Sequence, residues 1–139
     1  MRKITFRGKT YDGMWIEGAY YHANKNYGNP DDVHCIIPTT ESLDYEQALE
    51  YFVVSPVTVG QYTGLKDKNG KRIFEGDIVT RILFDELYQY EVVYQSGYAS
   101  FYGIRKGGFI SFGDDGDCFE VIGNIHDNPE LLEVRQWNG

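Results

Sequence analysis

Short runs of strand-forming residues, broken at intervals by glycine, asparagine and aspartate, fill most of this chain. Residues 3–9 and 14–21 read as a first pair of strands joined at Asp12-Gly13, a two-residue hairpin signal, with Trp15 and Tyr20 helping to cover a core face. Residues 22–34 carry His22, Asn24, Asn26, Gly28, Asn29, Pro30, Asp31 and Asp32, the composition of a polar loop. Two readings stand side by side between Ser42 and Phe52. Leu43, Ala48, Leu49 and Phe52 share a helical face behind a Ser42 cap, whereas Tyr51-Phe52-Val53-Val54 is a strand-like run that Pro56 closes. A short helix feeding a strand satisfies both.

The stretch from Val59 to Val79 is densest in turn chemistry. Asn69-Gly70 supplies two residues that tolerate positive φ, as a tight primed turn between antiparallel strands requires. Glu75-Gly76-Asp77 forms a second turn, and Ile78 to Phe84 runs on with strong strand propensity. Strands are predicted over 77–84, 88–95, 98–104, 107–112 and 118–124, with breaks at Ser96-Gly97, Lys106-Gly107 and Asp114-Asp115-Gly116. A spacing of about 8–12 residues points to a barrel or sandwich rather than βαβ units. Asn128-Pro129-Glu130-Leu131-Leu132-Glu133 combines an Asn cap, Pro at the first helical position and an acidic first turn, which predicts a short terminal helix.

Composition agrees with a β-dominated fold. Aromatics make up 16% of the 139 residues, with 12 Tyr and 8 Phe, and there are 16 Gly. The length suits one ordinary domain or two small subdomains. A net charge of −8 repels polyanions and forgoes the counterion release that drives nonspecific nucleic-acid binding. Between residues 57 and 84, however, Lys66, Lys68, Lys71, Arg72 and Arg81 outnumber Asp67, Glu75 and Asp77. Cys35 and Cys118 lie too far apart in sequence, with no further cysteine near either, to suggest a disulfide framework or a zinc knuckle. No segment approaches the ~20 apolar residues of a membrane span. A soluble, cytoplasmic protein is expected.

The candidates for chemistry each have a plainer role. Asp114, Asp115 and Asp117 around Gly116 lack the alternating ligands and closing Glu of a calcium loop, so they read as an exposed acidic turn. His34 and Cys35 are only two soft ligands where a structural metal site needs about four. His22, His34 and His126 have no positioned nucleophile beside them, and His126 is expected to pack or to order the helix start. Gly60, Gly64, Gly70 and Gly76 precede strands, unlike a phosphate loop, which leads into a helix. Tyr62, Phe74, Tyr88, Tyr90, Tyr94, Tyr98, Phe101 and Tyr102 are more aromatics than a small barrel holds inside, so some should form a contact face.

Three stretches also carry a resemblance. Thr58 to Gly70, Ile73-Phe74-Glu75-Gly76-Asp77-Ile78-Val79, and Glu120-Val121-Ile122-Gly123-Asn124-Ile125-His126-Asp127-Asn128-Pro129-Glu130-Leu131-Leu132 are similar, in this order and spacing, to the YopX family of phage and prophage proteins. The opening Ile4 to Gly8 and Trp15 to Gly18 resemble that family's start. The resemblance implies a mostly β protein of unassigned biochemical role, associated with large homo-oligomers and carrying no known catalytic residues.

The expectation is therefore a mostly β, non-catalytic protein. An N-terminal β-hairpin subdomain over residues 1–56 would pack on a C-terminal SH3-like small barrel over 57–139 that ends in a short helix. It would act through self-association or by binding another phage or host protein, without cofactor or metal. Tyr62, Lys66, Lys68, Lys71, Arg72, Tyr88 and Tyr90 are the candidate interaction surface. A nucleic-acid-associated accessory role for the basic hairpin at 66–72 is the alternative.

Overall fold

A computed structural model of the chain describes residues 4–23, 33–38, 52–112 and 116–132. Strands dominate these residues, and the polypeptide divides into two units, Met1–Gln61 and Tyr62–Gly139. The division falls inside one long strand, downstream of the expected limit at 56/57.

In the first unit β1 (Phe6–Thr10), β2 (Trp15–Ala23), β3 (Val33–Ile37) and the first part of β4 (Val54–Lys66) form an antiparallel sheet in the order β3-β2-β1-β4. The β1–β2 hairpin lies where Asp12-Gly13 places it, but not as a two-residue primed turn. The Gly13 amide bonds the Thr10 carbonyl (3.0 Å), the Thr10 amide bonds the Met14 carbonyl (2.8 Å), and Gly13 alone of the loop has positive φ. That is a longer loop closed by a left-handed glycine. The polar stretch is shorter than predicted, since His22 and Ala23 lie in β2 and Val33 and His34 in β3, paired across the ladder. Pro56 does not close its run either. β4 passes through it by a bulge: the partner of Arg7 is Gly60 and that of Lys9 is Ser55, and the Lys9 amide donates to Thr58 Oγ1 (2.8 Å) instead of to a backbone carbonyl. A bulge of this kind is where a strand tolerates a residue without an N–H. The helix predicted from Ser42 and the loop at Asn24 to Asp32 fall outside the described residues.

The second unit starts with the end of β4, which pairs with β5 (Arg72–Phe74). A second antiparallel sheet follows, formed by β6 (Asp77–Leu83), β7 (Glu86–Gln95), β8 (Ser100–Arg105), β9 (Gly108–Ser111) and β10 (Glu120–Asn124). Its order is β10-β6-β7-β8-β9, a four-strand meander whose last partner returns beside the first strand. This order is compatible with the expected SH3-like barrel. Ile73, Val79, Tyr90, Val92, Phe112 and Phe119 form the buried core, with Leu65, Tyr88, Phe101, Ile110 and Val121 packed against it. Burying one such large side chain contributes about 1.5–3 kcal/mol. The helical turn at 129–132 matches the predicted terminal helix.

Predicted strand limits of this unit shift by one or two residues, with a physical cause at two turns. The chain turns between β6 and β7 at Phe84-Asp85, a pair with no turn-forming glycine or asparagine, and both residues have positive φ (51° and 66°). After Gln95, residues 96–98 make a 3-10 turn, and Ala99 (φ 50°) starts the chain into β8.

Candidate interaction surfaces

The basic hairpin is built around a buried acid. Asp67 is the residue before the β4–β5 turn, and its Oδ1 accepts from the amides of Asn69 and Lys71 (both 2.9 Å). Its Oδ2 accepts from the Val121 amide (2.9 Å), fifty-four residues away in sequence. Burial pushes the carboxyl up, but the three amide bonds and the Lys71 charge outweigh it, so the pKa is lowered. The turn itself corrects the expected primed Asn69-Gly70 pair. The Gly70 amide meets the Asp67 carbonyl (3.0 Å), the Asp67 amide meets the Lys71 carbonyl (2.7 Å), and only Gly70 has positive φ. The Asp67 side chain thus selects a wider loop than the dipeptide alone implied.

The predicted cations of this hairpin are all exposed, and three of them have acidic or aromatic neighbours. Lys68 pairs with Glu120 (3.1 Å), Arg72 lies over the Tyr62 ring (5.6 Å), and Lys71 offsets Asp67. Lys66 is exposed, while Tyr62 is half-buried against Phe74 at a ring separation of 5.4 Å. Tyr88 and Tyr90 belong elsewhere. Tyr90 is 4% exposed in the core, because Gly103 on the neighbouring strand has no side chain: a Cβ there would lie 2.9 Å from that of Tyr90. Tyr88 packs on the same core, with the Arg105 guanidinium 4.7 Å from its ring centre and its hydroxyl donating to Glu86 (2.9 Å). Tyr90 is thus an interior packing residue, and Tyr88 is half-buried against the same core.

The motif-rich stretches around residues 67–77 and 119–128 meet in space. The Lys68 amide bonds the Phe119 carbonyl (2.9 Å), and a Cβ on Gly116 would lie 2.4 Å from the Lys66 carbonyl oxygen. Farther along, Asn124 pairs with Asp77, the Ile125 amide bonds the Gly76 carbonyl (2.9 Å), and the Gly76 amide bonds the Val92 carbonyl (2.9 Å). Asp77 itself is buried and accepts from the Phe74 amide (2.8 Å), closing the Glu75-Gly76 turn. Asn124 Oδ1 accepts from the amides of His126 (3.0 Å) and Asp127 (2.9 Å). Asn128 Oδ1 reaches back to the Asn124 amide (3.3 Å) rather than forward into the helical turn as an Asn cap would. Gly123 leaves room for this bond, since a Cβ there would sit 2.5 Å from that Asn128 oxygen and push the side chain aside. The polar motif residues form a clasp that satisfies backbone groups, and His126 packs its ring near Gly76, as expected of it.

The surface that faces outward lies on the other side of the second sheet. Gln95, Tyr98, Tyr102, Ile104, Arg105 and Phe109 line a groove of about 630 Å³ together with Gly107 and Gly108. Tyr102 is central: its ring lies 5.5 Å from Tyr98 and 5.9 Å, edge-on, from Phe109. Cross-strand pairing of Ile104 with Phe109 puts them on one face, and Tyr98 and Phe109 are 71% and 72% exposed. Of these residues, the sequence points to Tyr98 and Tyr102 among the surplus aromatics but not to Phe109, whose only signal is alternation with the partly buried Ile110.

The remaining titratable groups are distributed. In the first unit Tyr20, His34 and His22 form a stacked series, with the His rings 4.2 Å apart and the Tyr20 hydroxyl 2.5 Å from His34 Nδ1. In the second unit, burial and then the Glu75 charge raise the Glu91 pKa. Cys35 is buried, which raises its thiol pKa, and Cys118 is exposed. Among the described residues no three His, Cys, Asp or Glu side chains are grouped to hold a metal, and no helix is long and apolar enough to cross a membrane. Asp114 and Asp115 lie outside the described residues.

Comparison with known proteins agrees with this architecture. A crystal structure of protein EF1440 from Enterococcus faecalis is similar at 26% identity and a TM-score of 0.52, covering 95% of this chain and 99% of that one. Among curated proteins nothing matches. The family model described as YopX protein matches residues 5–133, and by that match over nearly its whole length the chain belongs to the YopX family.

Proposed function

We propose that this protein is a non-catalytic, phage- or prophage-derived association protein that works as a homo-oligomer in the cytoplasm of a bacterial host. The observation that carries the reading is the outward aromatic groove of Tyr98, Tyr102 and Phe109 on an otherwise acidic chain. Exposed aromatic surface of this kind is what protein interfaces bury, because it supplies apolar area with few rotatable bonds. The motif residues, by contrast, are occupied in backbone hydrogen bonds of the clasp, which leaves them unsuited to acid, base or nucleophile work. A nucleic-acid role is the weaker reading, since Lys68 is paired with Glu120 of β10, Arg72 lies over the Tyr62 ring and the net charge opposes a polyanion.

Light scattering coupled to size exclusion tests this directly. A multi-subunit species should dominate at micromolar concentration, and a clean monomer there would remove the reading. Fluorescence anisotropy with a labelled oligonucleotide at two salt concentrations should show no salt-sensitive binding.

A further inference from the structure

The β6–β7 turn is built against local preference. Two central residues at positive φ are usually Asn-Gly, because a Cβ in the left-handed region costs roughly 1–2 kcal/mol per residue. Here the pair is Phe84-Asp85, and Phe84 is 96% exposed. Ile82 and Leu87, directly opposite each other on the two strands, are 67% and 49% exposed. The hairpin therefore ends in a knob of three large apolar side chains, held out by a strained turn. Strain retained without an internal contact to offset it is a pointer to function.

The groove complements that knob. It is largely apolar and aromatic, and the exposed Lys106 follows its Arg105 end, whereas the knob carries the exposed Asp85. Strand β7 joins the two: it begins at the turn with Glu86 and ends in the groove with Gln95. Gln95, at the Tyr98 end of the groove, lies nine residues along this paired strand from Glu86, ~30 Å at about 3.3 Å each, so the turn of one chain cannot fold back onto its own Tyr98. Two different patches that fit each other only between copies make a heterologous, head-to-tail contact, the kind that closes into rings.

Resting on the self-association reading above, we propose that the Phe84 knob of one copy docks in the Tyr98–Tyr102–Phe109 groove of the next. The acidic flank of the knob favours this occupant over a lipid surface, whose anionic head groups it repels.

Two variants test the docking. Phe84→Asn removes the knob while suiting the turn, so it should fold at least as well as the wild type. Tyr98→Ser combined with Phe109→Ser strips the groove at exposed positions. Each variant alone should associate at least about tenfold more weakly by sedimentation velocity, as loss of a central aromatic anchor does. Mixed in equal amounts they should form a one-to-one dimer, because one intact knob and one intact groove remain. If both variants keep the wild-type mass, the docking is wrong and self-association stands on another surface. Dissociation of both without recovery on mixing would also overturn head-to-tail docking, and a wild-type monomer would remove both proposals. Wild-type co-sedimentation with phosphatidylcholine vesicles that Phe84→Asn abolishes would assign the knob to lipid instead.

Discussion

Within the second unit, the clasp and the groove are opposites. The clasp gathers the polar residues and glycines most conspicuous in the sequence, buries Asp67, Asp77 and Asn124, and turns their side-chain oxygens to backbone amides. The groove gathers Tyr98, Tyr102 and Phe109, which belong to no motif, and leaves two of the three largely exposed. The residues that look most like chemistry hold the fold together, and those that look like packing face the solvent. A buried carboxylate that accepts three amide bonds is costly to remove, whereas an exposed aromatic contributes to stability only what it covers.

Substitutions can break this contrast. Asp67→Ala should have the largest effect, a loss of about 3 kcal/mol in urea unfolding, because three amides lose their acceptor and two of the motif stretches lose their bridge. A loss under about 1 kcal/mol would show that the clasp is not the unit's stabilising element. Gly123→Ala should cost about 2 kcal/mol by forcing Asn128 away from the Asn124 amide, and the same denaturation reads it. Phe109→Ser, in the groove, should change monomer stability by no more than about 0.5 kcal/mol.

Acid titration sharpens the comparison. The Asp67 pKa is lowered on folding, so its stabilisation is present above the unfolded value of about 3.9 and is lost as pH falls through the folded one. Wild-type stability should therefore drop below about pH 4 more steeply than that of Asp67→Asn. Glu91 has the opposite sign. Its raised pKa gives stabilisation that is complete below the unfolded value of about 4.3 and is lost as pH rises through the folded one. Glu91→Gln should thus raise the melting temperature at pH 7 and flatten the slope between acid and neutral pH. An unchanged melting temperature would mean that Glu91 is well solvated.

Hairpin positions were legible because Asp-Gly and Asn-Gly mark chain reversals wherever they occur. The kind of turn was not, since it depends on the Asp67 side chain and on partners beyond the dipeptide. Phe84-Asp85 carries no turn signal: phenylalanine is a strand former, and its left-handed conformation is set by the register of β6 against β7. β3 was hidden for a different reason, because Val33 and His34 follow a polar stretch and gain their strand conformation from pairing with Ala23 and His22. The two-residue spacing of Tyr88, Tyr90 and Val92 did mark a single face, but only Gly103 on the neighbouring strand shows that this face points inward. The groove was illegible as a unit, since Tyr98, Tyr102 and Phe109 meet only once β8 and β9 are paired.

The Val121 amide that completes Asp67 is made long after the aspartate itself. During synthesis the β4–β5 hairpin therefore leaves the ribosome with half of its central carboxylate unmet, and the meander from β6 to β9 emerges before the segment that closes over it. Long-range closure of this kind slows folding. A nascent chain with only the residues before 121 outside the ribosome should be readily digested by protease, and one with the chain past residue 128 outside should resist.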